Sequence, residues 1–122
     1  MKRHTLLLLA IMFLGGSAWA QSASASFQST DITTTGQAQL TEEGSEQVIE
    51  LSDDFNTEEG PDLHVYLATD TTATEFTDLG LLEDFSGKQT YEVPGDVASE
   101  EQPLVLIYCK KYSHLFGYAE LQ

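Results

Sequence analysis

The chain has 122 residues and is strongly acidic, with 20 Asp and Glu residues against five Lys and Arg and a formal net charge of −15 at pH 7. A field of that sign repels phosphate backbones and anionic lipid surfaces, so binding of nucleic acid or of a membrane surface is disfavoured. The length corresponds to a single domain with a modest core.

Residues 1–20, MKRHTLLLLAIMFLGGSAWA, are predicted to be a signal peptide. Lys2 and Arg3 precede an apolar run over residues 6–14, and Ala18-Trp19-Ala20 fits the small-x-small cleavage rule. The run is shorter than the roughly 20 residues that span a bilayer, so we expect no membrane insertion after its removal. The mature chain would be periplasmic or secreted, with three lysines against 20 acidic residues, a net charge of −17.

Residues 21–34 are predicted to form a small, polar N-terminal tail and a first short strand, and residues 35–122 a β domain. Short segments of alternating polarity, separated by Gly-, Pro- and Asp-containing turns, are typical of strands. The predicted strands cover residues 26–28, 36–41, 47–51, 63–68, 90–93, 104–109 and 115–121. Residues 72–82 are expected to hold at most a short helical turn. The pattern predicts an all-β, single-domain protein, an antiparallel β-sandwich or small barrel.

Alternation also assigns side chains to faces, because neighbouring residues of a strand point in opposite directions. In the segment 63–67, Leu63, Val65 and Leu67 share one face, and His64 and Tyr66 the other. The segment 104–109 is apolar on both faces, which indicates a central strand. In the last segment, strict alternation places residues 115, 117, 119 and 121 on one face and residues 114, 116 and 118 on the other.

Cys109 is the one cysteine in the chain, although small exported domains usually carry even numbers that pair as disulfides. Lys110 and Lys111 follow it, and nearby positive charge favours the reactive thiolate. Free cysteines are also among the most buried residues, and burial disfavours the thiolate. The residues alone do not decide between two interpretations of Cys109, a reactive thiol and a packing residue.

His64 and His114 are the histidines of the predicted mature chain, and with Cys109 they form a candidate ligand set for zinc, copper or haem iron. No C-x-x-C, C-x-x-C-H or H-x-H motif accompanies them, so ordinary surface histidines are the alternative. The acidic pairs at residues 53–54 and 58–59 lack the spacing of a calcium loop. The chain lacks the G-x-S-x-G motif that would indicate a hydrolase, and we do not expect the protein to be an enzyme that acts alone.

Several short motifs resemble those of the DM-thirteen domain, a small extracellular module, and they occur in the same order and with the same spacing. The stretches that carry the resemblance are residues 35–40 (TGQAQL), 54–55 with 60–67 (DF, GPDLHVYL), 79–80 through 87 with 89–94 (LG, G, QTYEVP), and 105–109 with 116–121 (VLIYC, FGYAEL). His64 departs from the pattern, which more often has a tyrosine or another bulky residue there. The resemblance covers nearly all of the predicted mature chain.

The resemblance implies an exported electron-transfer or redox module. The family's single cysteine is proposed to act as a free thiol or as the ligand of a group such as haem, a role that passes to Cys109 here. His114 and His64 are candidate second ligands, Lys110 or Lys111 would tune the thiolate, and a redox partner protein or a cell-surface protein is expected. The alternative is a cofactor-free adhesion scaffold with a buried structural cysteine.

Overall fold

The structure is a computed structural model, and it describes residues 21–97 and 100–121. The predicted signal peptide therefore lies outside the described residues. In the described residues, no helix is long and apolar enough to cross a membrane. These residues form nine strands: β1 (Gln21–Ser26), β2 (Gln28–Ser29), β3 (Gln37–Glu43), β4 (Glu46–Leu51), β5 (Leu63–Ala68), β6 (Phe76–Leu81), β7 (Gln89–Val93), β8 (Leu104–Cys109) and β9 (His114–Glu120).

The strands form two antiparallel sheets that pack as a sandwich, which confirms the predicted all-β, single-domain fold. One sheet has four strands in the order β1-β3-β4-β7, and the other has five in the order β2-β9-β8-β5-β6. β8 lies between β5 and β9, as its apolar character on both faces predicted. The inner faces of both sheets contribute to one core, in which Ile49, Leu51, Val65 and Ile107 are fully buried.

The segment QSASAS at residues 21–26, predicted to be a tail, instead forms β1 and pairs with β3 over its full length. Ala23 and Ala25 pack against the core, while Ser22 and Ser24 are exposed. The small, polar composition predicted a tail, which is wrong for these residues because pairing with β3 decides the conformation of weak strand formers such as alanine and serine. Phe27 is buried between β1 and β2, where the chain passes from one sheet to the other.

Two further differences concern β6 and β9. Residues 76–81, expected to contain at most a helical turn, form the edge strand β6. In β9, Gly117 pairs with Ile107 but Leu115 pairs with Tyr108, so one extra residue, Phe116, lies between two consecutive pairs. The bulge turns Phe116 into the core and Leu115 to the outer face, which overturns the strict alternation predicted there.

Buried polar groups tie the loops to the sandwich. The Thr34 hydroxyl group donates to the Phe116 carbonyl (2.8 Å) and lies 2.8 Å from the Thr57 hydroxyl oxygen. Thr34 also packs over Gly117, where an added Cβ would lie 2.6 Å from the Thr34 Cβ. These contacts fix the position of β9, the strand that pairs with Cys109 of β8.

Candidate functional site

Cys109 is the last residue of β8, and its side chain points into the sandwich. It is 1% exposed and belongs to the same core cluster as Val105 and Ile107 of its own strand. Leu63 of β5 and His114 of β9 lie opposite it on the two neighbouring strands. In this conformation the thiol is a small apolar group inside the core.

His114 is the cross-strand partner of Cys109, as expected if residues 110–113 form a hairpin loop. Residues paired in this way have Cβ atoms about 5 Å apart. The imidazole Nε2 of His114, however, lies 3.0 Å from the Asp31 carboxylate. That hydrogen bond is the main cause that lowers the pKa of Asp31. The structure thus brings the backbones of the two candidate residues together, while the His114 ring is bonded to Asp31.

His64 lies on the opposite face of the five-stranded sheet from Cys109. Its Nδ1 is 2.9 Å from Asp78 Oδ1 on β6, and its Nε2 is 3.1 Å from Asp62 Oδ1 in the turn before β5. A neutral imidazole has one N–H and can donate to one of these carboxylates, whereas the imidazolium donates to both. In either protonation state, His64 links β6 to the turn before β5.

The two lysines that follow Cys109 have partners on the surface. The Lys110 ammonium lies 3.8 Å from Asp78 Oδ2, and the Lys111 ammonium lies 5.4 Å from the centre of the Tyr112 ring. Lys110 also donates its backbone N–H to the Asp62 carbonyl (2.9 Å). That a lysine tunes the Cys109 thiolate stays a prediction, since both ammonium groups have other interactions here.

A haem or metal ion does not fit these residues in this conformation. The Cys109 sulfur offers no exposed coordination position, His64 is on the other face with both nitrogens at carboxylates, and His114 is bonded to Asp31. In residues 21–97 and 100–121, no group of three or more His, Cys, Asp or Glu side chains could hold a metal ion.

Aromatic side chains cover the outer face of the sheet beside Cys109. The Tyr66 ring is stacked between Phe76 on β6 (centroids 4.2 Å apart) and Tyr108 on β8 (5.1 Å) and is almost fully buried by them. Burial raises the pKa of Tyr66 to about 12, with smaller contributions from Asp78, Tyr108, Asp62 and Cys109.

The sequence did not reveal the partners of the two histidines. Asp62 precedes His64 by two residues, a spacing that could have indicated a contact along one face of a strand. Asp78 and Phe76 lie in the segment whose strand was missed, and Asp31 is 83 residues from His114. Pairing of β5 with β6, and of β2 with β9, brings these groups together.

The chain matches the family described as Electron transfer DM13 over residues 26–121. This span runs from the last residue of β1 to the residue after β9, and it includes Cys109 and both histidines of the described part. The chain is therefore a member of the electron transfer DM13 family, which confirms the resemblance. Comparison with curated proteins and with solved structures gave no match.

Proposed function

We propose that this protein is an exported electron-transfer module whose redox centre is the Cys109 thiol. The observation that carries the proposal is membership of a family described as electron transfer, in a chain whose one cysteine follows Tyr108, one of two stacked tyrosines. An electron needs no open channel to reach a buried atom, unlike a substrate or an alkylating reagent. A sealed thiol is therefore compatible with electron transfer but not with thiol–disulfide exchange.

The proposed reaction is a one-electron step with a partner protein that carries a high-potential haem or copper centre, because one-electron oxidation of a thiol needs a strong oxidant. The Cys109 thiol loses one electron to that centre and one proton to a base, for which the His114 imidazole on the paired strand is the candidate, and the sulfur becomes a thiyl radical. The reverse step returns one electron and one proton and restores the thiol. Tyr66 and Tyr108 lie between the strand that bears Cys109 and the outer surface, where the partner would bind.

The cellular location and the partner are part of the same proposal. The basic start, the short apolar run and the Ala-Trp-Ala site of residues 1–20 support secretion or transfer to the periplasm. The negative field of the predicted mature chain argues against nucleic acid and membrane surfaces as partners. We propose a component that acts with a redox protein, and not an enzyme that acts alone.

The test compares the wild-type protein with Cys109→Ser in the reaction with hexachloroiridate(IV), a small one-electron oxidant. Loss of the oxidant's absorbance and electron paramagnetic resonance of the frozen mixture are followed at neutral pH. We expect the wild type to consume about one more equivalent than the variant and to show a sulfur-centred radical signal in addition to any tyrosyl signal that both proteins give. Equal consumption by the two proteins would reject Cys109 as the redox centre, because both keep the same tyrosines.

A visible spectrum before and after dithionite, recorded on protein purified from its native compartment, tests for an absorbing cofactor. A colourless protein is expected, because the ligand set does not fit haem or a metal ion in this conformation. A dithionite-sensitive band that disappears in Cys109→Ser would instead assign the sulfur as a cofactor ligand.

A cofactor-free adhesion scaffold is the second candidate, and the 1% exposure of Cys109 favours it. In that case the thiol contributes packing alone. Cys109→Ser would lower the free energy of unfolding by about 1–3 kcal/mol and Cys109→Val by less, because valine restores an apolar side chain. Binding to the partner would survive both changes.

A further inference from the structure

The outer face of the five-stranded sheet is largely apolar, and in the described residues no second sheet or helix covers it, although Ala73 of the loop before β6 packs against it. Phe76 and Leu81 of β6 lie on this face and are 43% and 62% exposed. Tyr108, Leu115 and Tyr118 continue it across β8 and β9 as half-buried side chains. We call this surface, formed by Tyr66, Phe76, Leu81, Tyr108, Leu115 and Tyr118, the aromatic face. Exposed apolar patches bordered by polar groups mark interaction sites.

Acidic side chains border the aromatic face. Asp78 is the cross-strand neighbour of Tyr66, and Glu120 is the cross-strand neighbour of Leu104 on the same side of the sheet. Asp70 and Glu75 are exposed in the loop that leads into Phe76. Hydrogen bonds from Thr72 are the main reason why the pKa of Asp70 is lowered, so this carboxyl group is ionised at neutral pH. The border therefore presents carboxylates beside aromatic rings.

The contacts of the protein's own basic side chains indicate which chemical groups such a surface binds. At one edge of the aromatic face, the Lys110 ammonium lies 3.8 Å from Asp78, and the Lys111 ammonium lies 5.4 Å from the Tyr112 ring centre. His64 lies between two carboxylates on the same side. Carboxylate contacts and contacts with a ring face are the two ways in which arginine and lysine are bound at interfaces.

We propose that the aromatic face binds a basic segment of a partner protein, one that combines arginine or lysine with leucine-like side chains. The apolar side chains pack on Phe76 and Leu81, and the cations pair with the exposed Glu75 and Glu120 and with the rings. A second copy of this chain is a poor occupant, because it would bring the same negative charge to the contact. The inference does not depend on the redox role of Cys109, since a scaffold could use the same face.

The test uses an alternating arginine–leucine octapeptide as probe, titrated into isotopically labelled protein and followed by two-dimensional NMR. An arginine–serine peptide keeps the charge, and a glutamate–leucine peptide keeps the apolar side chains. We expect shifts at Tyr66, Phe76, Leu81, Tyr108 and Tyr118 with the first peptide, and binding at least fivefold weaker with either control. Binding should also weaken as salt is added.

Variants then locate the site. Leu81→Ser and Phe76→Ser should each weaken binding of the arginine–leucine peptide by about tenfold, the effect of losing roughly 1.4 kcal/mol at an interface. Glu120→Gln, an exposed change that keeps the size of the side chain, should weaken it about threefold. Ser24→Ala and Thr90→Ser on the other sheet are the matched controls and should leave binding unchanged.

Several outcomes would overturn the proposal. Shifts on the four-stranded sheet, or equal binding of the arginine–serine peptide, would indicate general electrostatic attraction. Dimerisation in sedimentation experiments that Leu81→Ser abolishes would assign the face to a second copy. Shifts of the same residues by chitohexaose, with none by the peptide, would assign it to a saccharide. None of these results bears on the reaction of Cys109 with hexachloroiridate(IV), so the two proposals fail separately.

Discussion

The outer faces of the two sheets differ in chemistry although the sheets share one core. Across the middle of the four-stranded sheet, Ser24, Gln39, Glu50 and Thr90 follow one another from strand to strand. Across the five-stranded sheet, the corresponding row is Asp78, Tyr66, Leu106 and Tyr118. The first row needs no partner to be stable in water, whereas the second buries apolar side chains on a face that no second sheet covers in the described residues.

The comparison shows that an outer face can be partly buried by its own side chains. Tyr66 is 2% exposed because the rings of Phe76 and Tyr108 stack on it, and Leu106 is completely buried. Offset aromatic pairs contribute about 0.5–1.5 kcal/mol beyond the area that they bury. Aromatic side chains here do two things: they stabilise the sheet, and they leave Phe76 at the surface.

The largest expected effect is the loss of the stacked ring. Tyr66→Ala should lower the free energy of unfolding by about 3 kcal/mol, because it removes a buried aromatic side chain and its two stacking partners. Gln39→Ala, at the equivalent place in the other sheet, should change it by about 0.5 kcal/mol or less. Urea denaturation followed by circular dichroism measures both. Similar losses for the two variants would mean that the faces do not differ in energy.

High pH provides the next test, because burial raises the pKa of both Tyr66 and Tyr91 to about 12. A tyrosine in the unfolded chain has a pKa near 10, so the folded form holds its proton more tightly. The stabilisation is complete below pH ~10 and is lost as the pH rises towards 12, on the order of 2 kcal/mol per tyrosine.

Phenylalanine variants assign this alkaline loss to single residues. Tyr66→Phe and Tyr91→Phe should each reduce the fall in stability between pH 9 and pH 11.5, measured by urea denaturation at fixed pH values. Tyr112→Phe, at an exposed tyrosine, is the control and should behave like the wild type. An alkaline loss that persists in the Tyr66→Phe, Tyr91→Phe double variant would contradict this explanation.

Side-chain contacts with carboxylates on the two faces give a smaller contrast. The side chain of His64 is 12% exposed and bridges Asp62 and Asp78, whereas the Lys88 ammonium lies 3.6 Å from Glu50 at the surface. A double-mutant cycle with His64→Ala and Asp78→Ala should give a coupling of about 1 kcal/mol, the size of a partly buried hydrogen bond. The Lys88–Glu50 cycle should give less than about 0.5 kcal/mol. Couplings of equal size would argue against a special role for the bridged histidine.

The smallest effect on stability is expected at the exposed end of the aromatic face. Leu81→Ser should change the free energy of unfolding by no more than about 0.5 kcal/mol, since the side chain is 62% exposed. The same change should reduce fluorescence of the dye bis-ANS, which binds exposed apolar surface. Ser24→Leu places one leucine on the polar face and should not create a dye site. A dye signal of wild-type strength in Leu81→Ser would place the exposed apolar surface elsewhere.

Much of the fold could be predicted because alternation and turns are local properties. The inner and outer residues of β5 and β8, and the central position of β8, followed from polarity alone. β1 and β6 were missed since their residues have weak strand propensity or mixed polarity, and each is an edge strand held by its neighbour. The bulge at Phe116 was missed because an extra residue becomes visible only when two strands are paired.

Less of the candidate site than of the fold could be predicted from the sequence. The lone cysteine and the family motifs pointed to Cys109, and its predicted face, with Val105 and Ile107, is confirmed. Two features of the site depend on contacts between residues distant in sequence. His114 lies opposite Cys109 but is bonded to Asp31, and His64 lies on the far side of the sheet. The order of residues along the chain does not contain those distances.

From the sequence alone came the acidity of the chain, the all-β class, the family and the identity of the single sulfur, because composition, local periodicity and motif order are written in the chain itself. The tertiary structure decided that the sulfur is sealed in the core, that the histidines have carboxylate partners, and that stacked aromatic rings cover one outer face and leave Phe76 and Leu81 exposed. These properties depend on which strands pair and in which register, and strand pairing is a property of the folded chain as a whole.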